Sequence, residues 1–377
     1  LGKVDLASLK DVLPLDKNDN LNGKITADVT MKGRMSSIEK GKYEEFDAKG
    51  QIIVMDMDYK SKDNPYDMMI KSMTLNFSPK FVELAGFDSK IGRNDVQADG
   101  RIENILQYVF KDSLLKGTFT MRSSLMDLNQ FMSSEDTTVA AGSADTAAMS
   151  VIEVPSNIDF VLNSTIRKLI YDDIEMSNVS GTVIVRNSKV IMQNLKMNTM
   201  GGGLMINSAT YNTENLKMPA VSFDMSATDF DIPMTVKYFN TVEKLAPIAK
   251  YTTGRFSTQL KYSSSLDKAM MPDMKTLTGD GKLQTKQVVV AGFEPLNKLA
   301  DALGGLDRFK QAEFSNLDIS YHIKDGKVTT DEFPFKQNSV SGLALGSTAL
   351  DQTIDYTMKM DIPTADMPAK AKEFLTK

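Results

Sequence analysis

Leu277-Thr-Gly-Asp-Gly-Lys-Leu283 opens the stretch that decides the fold, and Tyr321-His-Ile-Lys-Asp-Gly-Lys-Val328 closes it. Between them the sequence predicts a Gly-flanked strand from Gly279 to Val290 and a short helix from Pro295 to Leu306. A long strand from Phe314 to Lys324 follows and turns back at Asp325-Gly326. The helix carries Leu296, Leu299, Ala300 and Leu303 at i, i+3, i+4 and i+7, a single apolar stripe. The strand alternates: Leu317, Ile319, Tyr321 and Ile323 point one way, Asp318, Ser320, His322 and Lys324 the other. Asp-Gly is a hairpin signal because glycine accepts positive φ without a steric cost. The stretch therefore predicts a one-faced sheet with a small helix at its end.

The same alternation runs outward through the chain. Ile25, Ala27, Val29 and Met31 share one face against Thr26, Asp28 and Thr30. Met73, Leu75 and Phe77, then Val96 and Ala98, then Phe119 and Met121 continue it. Further strands contain Ile158 to Leu162, Val179 to Val185, Val221 to Ala227, and Ile354 to Met360. Short helices are predicted over Glu103–Phe110, Leu125–Met132 and Pro233–Ala246, with helical segments before Leu13 and over 364–377. Residues 133–150 lack periodicity and large side chains and read as a linker or mobile loop. They separate an N-terminal β-repeat region, 1–132, from a C-terminal one, 151–377.

The chain repeats itself. Residues 23–54 align with 254–285 without a gap, placing Gly23 on Gly254, Val29 on Leu260, Gly50 on Gly281 and Ile52 on Leu283. A looser copy places Gly50 on Gly181. A unit of apolar-Asp-apolar type recurs at Val4-Asp5-Leu6, Met126-Asp127-Leu128 and Met360-Asp361-Ile362, and with Thr first at Thr228-Asp229-Phe230.

About 16–17 one-faced strands with only four or five short helices present an apolar face too wide for those helices to cover. The expected fold is mainly β: a large curved antiparallel sheet, a groove or folded-over half-barrel, built from repeated β units. The face must meet a second sheet in a closed sandwich, or curl into a groove. An unfilled groove suits an acyl chain, at about 25 cal/mol per Å² of apolar area buried. The groove candidates are Ile25, Val29, Phe256, Leu260, Leu283, Ile319, Tyr321 and Ile323.

Composition narrows the chemistry. The 377 residues are 41% hydrophobic and 25% charged, with net charge −5, which fits a folded protein and disfavours nucleic acid as a partner. There is no cysteine, so disulfides, thiolate metal sites and Cys nucleophiles are excluded. The 25 methionines read as a Met-rich core or as an adaptable apolar surface. His322 is the only histidine, which removes His-based triads and HExxH zinc sites; it reads as a solvated surface residue. Asp16, Asn18 and Asn20 imitate a calcium loop, but Leu21 stands at its sixth position and Ala27 at its twelfth. Gly201-Gly202-Gly203 reads as a turn rather than an anion cradle. Neither an enzyme nor a cofactor or metal is expected. No apolar run approaches the roughly 18–20 residues of a membrane span.

The opening stretch resembles the C-terminal region of the AsmA family of Gram-negative envelope proteins. The resemblance lies in Thr278-Gly279-Asp280-Gly281-Lys282-Leu283, the helix from Phe293 to Leu303, Phe314-Ser-Asn-Leu317, and Asp325-Gly326-Lys327-Val328. The closing strands Gly346 to Leu350, Ile354-Asp355-Tyr356 and Asp361-Ile362-Pro363 are similar as well. The resemblance implies a periplasmic, repeat-built lipid-transport protein of the cell envelope that acts in outer-membrane biogenesis. Its partners would be phospholipid, possible envelope proteins, and the inner membrane, reached through an N-terminal anchor missing from this sequence. It carries over no catalytic residue. Two other classes stay open: a structural or adhesive β-sandwich module for a protein or glycan, and a glycan-active enzyme with two carboxylates in a cleft.

Overall fold

A computed structural model describes residues 2–6, 20–34, 36–37, 47–61, 66–132, 151–239, 242–243, 246–267, 270–302, 310–349 and 351–367. The protein is mainly β, and nineteen strands belong to one mostly antiparallel hydrogen-bonded sheet that is not closed. The strands group into two compact units. The first is formed by β1 (Gly2–Asp5), β2 (Asn20–Lys32), β3 (Asp47–Lys60), β4 (Met68–Ser78), β5 (Phe81–Ile91), β6 (Asn94–Glu103), β7 (Leu115–Asp127), β8 (Ile158–Tyr171) and β9 (Ile174–Arg186). The second is formed by β12 (Ala220–Asp231), β13 (Thr252–Ser265), β14 (Thr278–Ala291), β15 (Gln311–Ser315), β16 (Asp318–Lys324), β17 (Lys327–Gln337), β18 (Val340–Ala349) and β19 (Ile354–Asp361). Residues of β10 (Lys189–Thr199) and β11 (Gly202–Asn212) are divided between the two.

In the first unit neighbouring strands pair in chain order, antiparallel from β1 to β7, and β8 with β9 likewise. The exception is β7 with β8, which is parallel from Leu115↔Ile158 to Asp127↔Ile170. In the second unit β12 to β14 and β16 to β19 pair in order, and β15 and β16 both pair with β14. The predicted long strand Phe314–Lys324 is thus two strands, broken at Asn316, whose φ of 52° ends one ladder and re-aims the next. Asp325-Gly326 forms the predicted turn, with φ of 50° and 71°, the sign at both positions that a type I′ hairpin needs.

The short helices α1 (Ile105–Lys111), α2 (Asn129–Met132), α3 (Ile232–Tyr238) and α4 (Glu294–Ala302) lie among the described residues, and residues 36–37 and 242–243 are helical as well. Asp231 caps α3 by accepting the amide of Met234, and Pro233 fits its first turn. The helix predicted over Leu125–Met132 is instead the end of β7 followed by one turn. Of the predicted Pro233–Ala246 helix, α3 ends at Tyr238, residues 242–243 are helical again, and Pro247 starts a separate 3-10 turn to Tyr251. The 133–150 stretch, the helix before Leu13 and the end of the C-terminal tail lie outside the described residues.

The internal repeat is a structural one. At the offset of 231 residues, Asp47–Lys60 maps end to end onto Thr278–Ala291, so β3 and β14 coincide. Gly23 and Gly254 have φ of 125° and 122°, and each adjoins a bulge where its strand pair changes register. A bulge bends and further twists its strand. Only glycine takes this φ readily, and a Cβ would meet backbone atoms 2.7 Å away in both copies.

Candidate functional site

The registers place every second residue of adjoining strands on one continuous apolar face in each unit. In the first unit Ile25 stands opposite Val54, Val54 opposite Met73, and Met73 opposite Phe87. On this face Met73 and Leu75 of β4, Val82, Leu84 and Phe87 of β5, Gly100 and Ile102 of β6, and Phe119 of β7 line an open recess of about 300 Å³. No ionisable or hydrogen-bonding side chain is among these eight. Nothing in the recess can move a proton or act as a nucleophile. What it can do is take apolar groups out of water.

The floor has a repeated construction. Gly100 stands directly opposite Phe119, and Gly50 and Gly117 stand opposite Phe77 and Phe160. In the second unit the pairs are Gly279 with Tyr262, Gly281 with Tyr321, Gly342 with Phe335 and Gly346 with Tyr356. A Cβ on any of these glycines would lie 2.2–3.1 Å from a side-chain atom of its partner. The aromatic side chain crowds the space that a neighbouring side chain would fill, which covers the weak spot glycine leaves in a strand. Phe119 also meets Phe160 edge to face at 5.6 Å.

Away from the recess, at the start of β6, side chains replace the ladder between β6 and β7. Asp95 accepts from the amides of Ser124 and Leu125 and from the Ser124 hydroxyl. Partial burial presses this carboxyl upward, but the donors outweigh it and hold Asp95 below the usual carboxylate range. Asn94, fully buried, accepts the amide of Asp127 and donates to Gln130, while Arg93 pairs with Asp127 at 2.9 Å. These bonds clamp the corner where the chain leaves β7.

The second unit treats its apolar face differently. Ile232, Val288, Val290, Ala312, Phe314, Phe335 and Ala344 form a buried cluster. Val236 of α3, Ala249 of the 3-10 turn and Leu296 of α4 pack onto it. Beyond this cap, Tyr262 stacks on Phe223 at 5.0 Å, and burial pushes its phenol up to about 12. The Tyr321 hydroxyl lies 3.2 Å from that of Thr258.

Six sequence candidates, Phe256, Leu260, Leu283, Ile319, Tyr321 and Ile323, share one face of the adjacent strands β13, β14 and β16. Ile323 is buried, Phe256 packs against the capped cluster, and the other four are half-buried. Ile25 and Val29 share the recess-bearing face of the first unit, Ile25 half-buried and Val29 exposed, but neither lines the recess. Val82, Leu84 and Phe87 were not candidates. The register shift between Leu84 and Phe87 breaks period-two alternation at the point where the recess forms.

His322 lies on the opposite, polar face and is half exposed, yet it is more than a solvated residue. Its Nδ1 is 2.6 Å from Asp280 and its Nε2 3.3 Å from Asp331, so it bridges three strands. The hydrogen bond to Asp280, aided by both aspartate charges, raises its pKa.

The fold and the recess define a non-closed β-sheet protein with an exposed apolar face. No family model, curated protein or solved structure matches the chain.

Proposed function

We propose that this chain is a non-enzymatic lipid-handling segment that shelters phospholipid acyl chains against its apolar sheet face. It acts as an AsmA-like periplasmic protein in outer-membrane biogenesis, held at the inner membrane by a segment outside this sequence. The observation that carries the reading is the open recess lined only by Met73, Leu75, Val82, Leu84, Phe87, Gly100, Ile102 and Phe119. Each methylene moved from water onto such a surface gains about 0.8 kcal/mol, so a run of roughly ten gains about 8 kcal/mol before the cost of ordering the chain. The envelope location and the AsmA kinship rest on the resemblance of residues 277–363.

The test is delipidated protein incubated with a phospholipid carrying a photoreactive acyl chain, followed by native mass spectrometry and peptide mapping. Bound phospholipid with crosslinks in β4 to β7 is the expected result. The Leu84→Asp/Ile102→Asp variant, altered at half-buried positions, should lose most of that uptake while keeping its β circular-dichroism spectrum. Absence of uptake by wild type, or crosslinks scattered outside the apolar face, would sink the idea.

A further inference from the structure

Helix α1 breaks the ordinary rule for a helix on a sheet. Its sequence, Ile-Leu-Gln-Tyr-Val-Phe-Lys, is largely apolar, yet none of its residues is buried. Val109 is 64% exposed and Phe110 49%, and Leu114 just beyond the helix is exposed too. An amphipathic surface helix turns its apolar side to the core; here Ile105, Leu106 and Tyr108 are only half-buried, and Val109 and Phe110 face water. Contiguous exposed apolar side chains of this kind mark a contact surface.

The charges around the tip indicate what it contacts. No acidic residue lies in the helix, and Lys111 ends it. Lys80 sits in the adjoining turn, whose carbonyl accepts the amide of Asn104 before the helix, and Lys116 follows it in β7. Two acids flank the tip: Glu103, which pairs with Arg101 and stands opposite Lys116 in the ladder, and Asp112, which accepts from Asn157. Among the described residues neither Lys80 nor Lys116 forms an ion pair, and with Lys111 they give the surroundings of the apolar tip more cations than acids. The combination fits the phosphate and acyl layers of a lipid surface, where a small apolar insertion and flanking cations act together. A protein partner would need roughly 800 Å² per side for a stable interface, more than a helix of this length presents.

We infer that α1, with Leu114, is a membrane-contacting tip that dips Val109 and Phe110 into the interfacial layer of a phospholipid bilayer. The recess lies next to it along the chain: Val82 follows Lys80 by two residues, and Ile102 precedes Ile105 by three. The tip gives the proposed acyl-chain site a lipid source. It extends that reading and is tested apart from it.

Because the chain has no cysteine, Phe110→Cys accepts a single environment-sensitive dye. With vesicles of phosphatidylethanolamine and phosphatidylglycerol its emission shifts to the blue, whereas a dye at Gln259→Cys, exposed on the polar face of β13, does not shift. In flotation, Val109→Asp/Phe110→Asp lowers the vesicle-bound fraction about tenfold. That variant still takes up phospholipid delivered in detergent micelles, while Leu84→Asp/Ile102→Asp loses uptake but still floats. A dye at position 110 that does not shift on these vesicles overturns the inference. So does an aspartate variant that floats like wild type, or one whose only change is a smaller oligomer on gel filtration.

Discussion

The strand pair β2–β3 of the first unit and the pair β13–β14 of the second are copies, with glycines of matching φ and with β3 and β14 of equal length, yet the faces they carry are finished differently. Over β13–β14 two helices and a 3-10 turn bring Ile232, Val236, Ala249 and Leu296 down onto the sheet and close a core. Among the described residues of the first unit no helix lines the recess, which stays open beside β4 to β7. The backbone recipe is thus separable from the decision to cover it. A bend, a glycine and an alternating strand build the face; apolar helices between strands determine whether it becomes core or stays available.

Truncating the covered face should have the largest effect. Phe314→Ala, at a buried position in the second unit, should cost about 3–5 kcal/mol in chemical denaturation. Leu84→Ala in the recess should cost about 1 kcal/mol or less, because the space beside it is already open. Equal losses would mean that both faces are core. Next come the copied glycines. Gly23→Ala and Gly254→Ala should each cost about 1–3 kcal/mol, since both positions combine a glycine-only φ with backbone 2.7 Å from the new Cβ. A large cost at one and none at the other would break the equivalence of the copies.

The smallest effect concerns a feature that only the second copy has. At the offset of 231, Asp280 corresponds to Lys49, so the His322–Asp280 bridge has no counterpart in the first unit. The folded pKa of His322 is raised above 6.5. Its contribution to stability is therefore complete below pH 6.5 and is lost as pH rises through the folded value. A denaturation midpoint followed across this range should fall slightly in wild type and show less of this fall in His322→Gln. Nuclear magnetic resonance titration of the imidazole should report the raised pKa directly.

Much of the fold is legible in the sequence because it depends on local signals. Alternation marks the strands, Asp325-Gly326 marks its hairpin, and the Gly23/Gly254 alignment marks the duplication. What escapes reading is set between strands. That Gly100 pairs with Phe119, or Gly281 with Tyr321, follows only from register, so these glycines look like ordinary breaks in strands. The recess was missed for the same reason, since a bulge disrupts the alternation of Leu84 and Phe87. The surroundings of His322 were half read: its face was evident, but Asp280 lies 42 residues away and becomes a neighbour only through pairing.

The parallel joint between β7 and β8 has a kinetic consequence. An antiparallel hairpin zips from its turn, so each new contact closes only a slightly larger loop. Between β7 and β8 every paired residue is 43 positions from its partner, from Leu115↔Ile158 to Asp127↔Ile170. No turn nucleates that ladder, and its first contact bears the whole entropy of closing a long loop. The hairpins from β2 to β7 and the hairpin of β8 with β9 are therefore separate folding blocks, and their joining is the slow event in the first unit. Pulse-labelled hydrogen exchange during refolding should protect the amides within each block before those that β7 and β8 share.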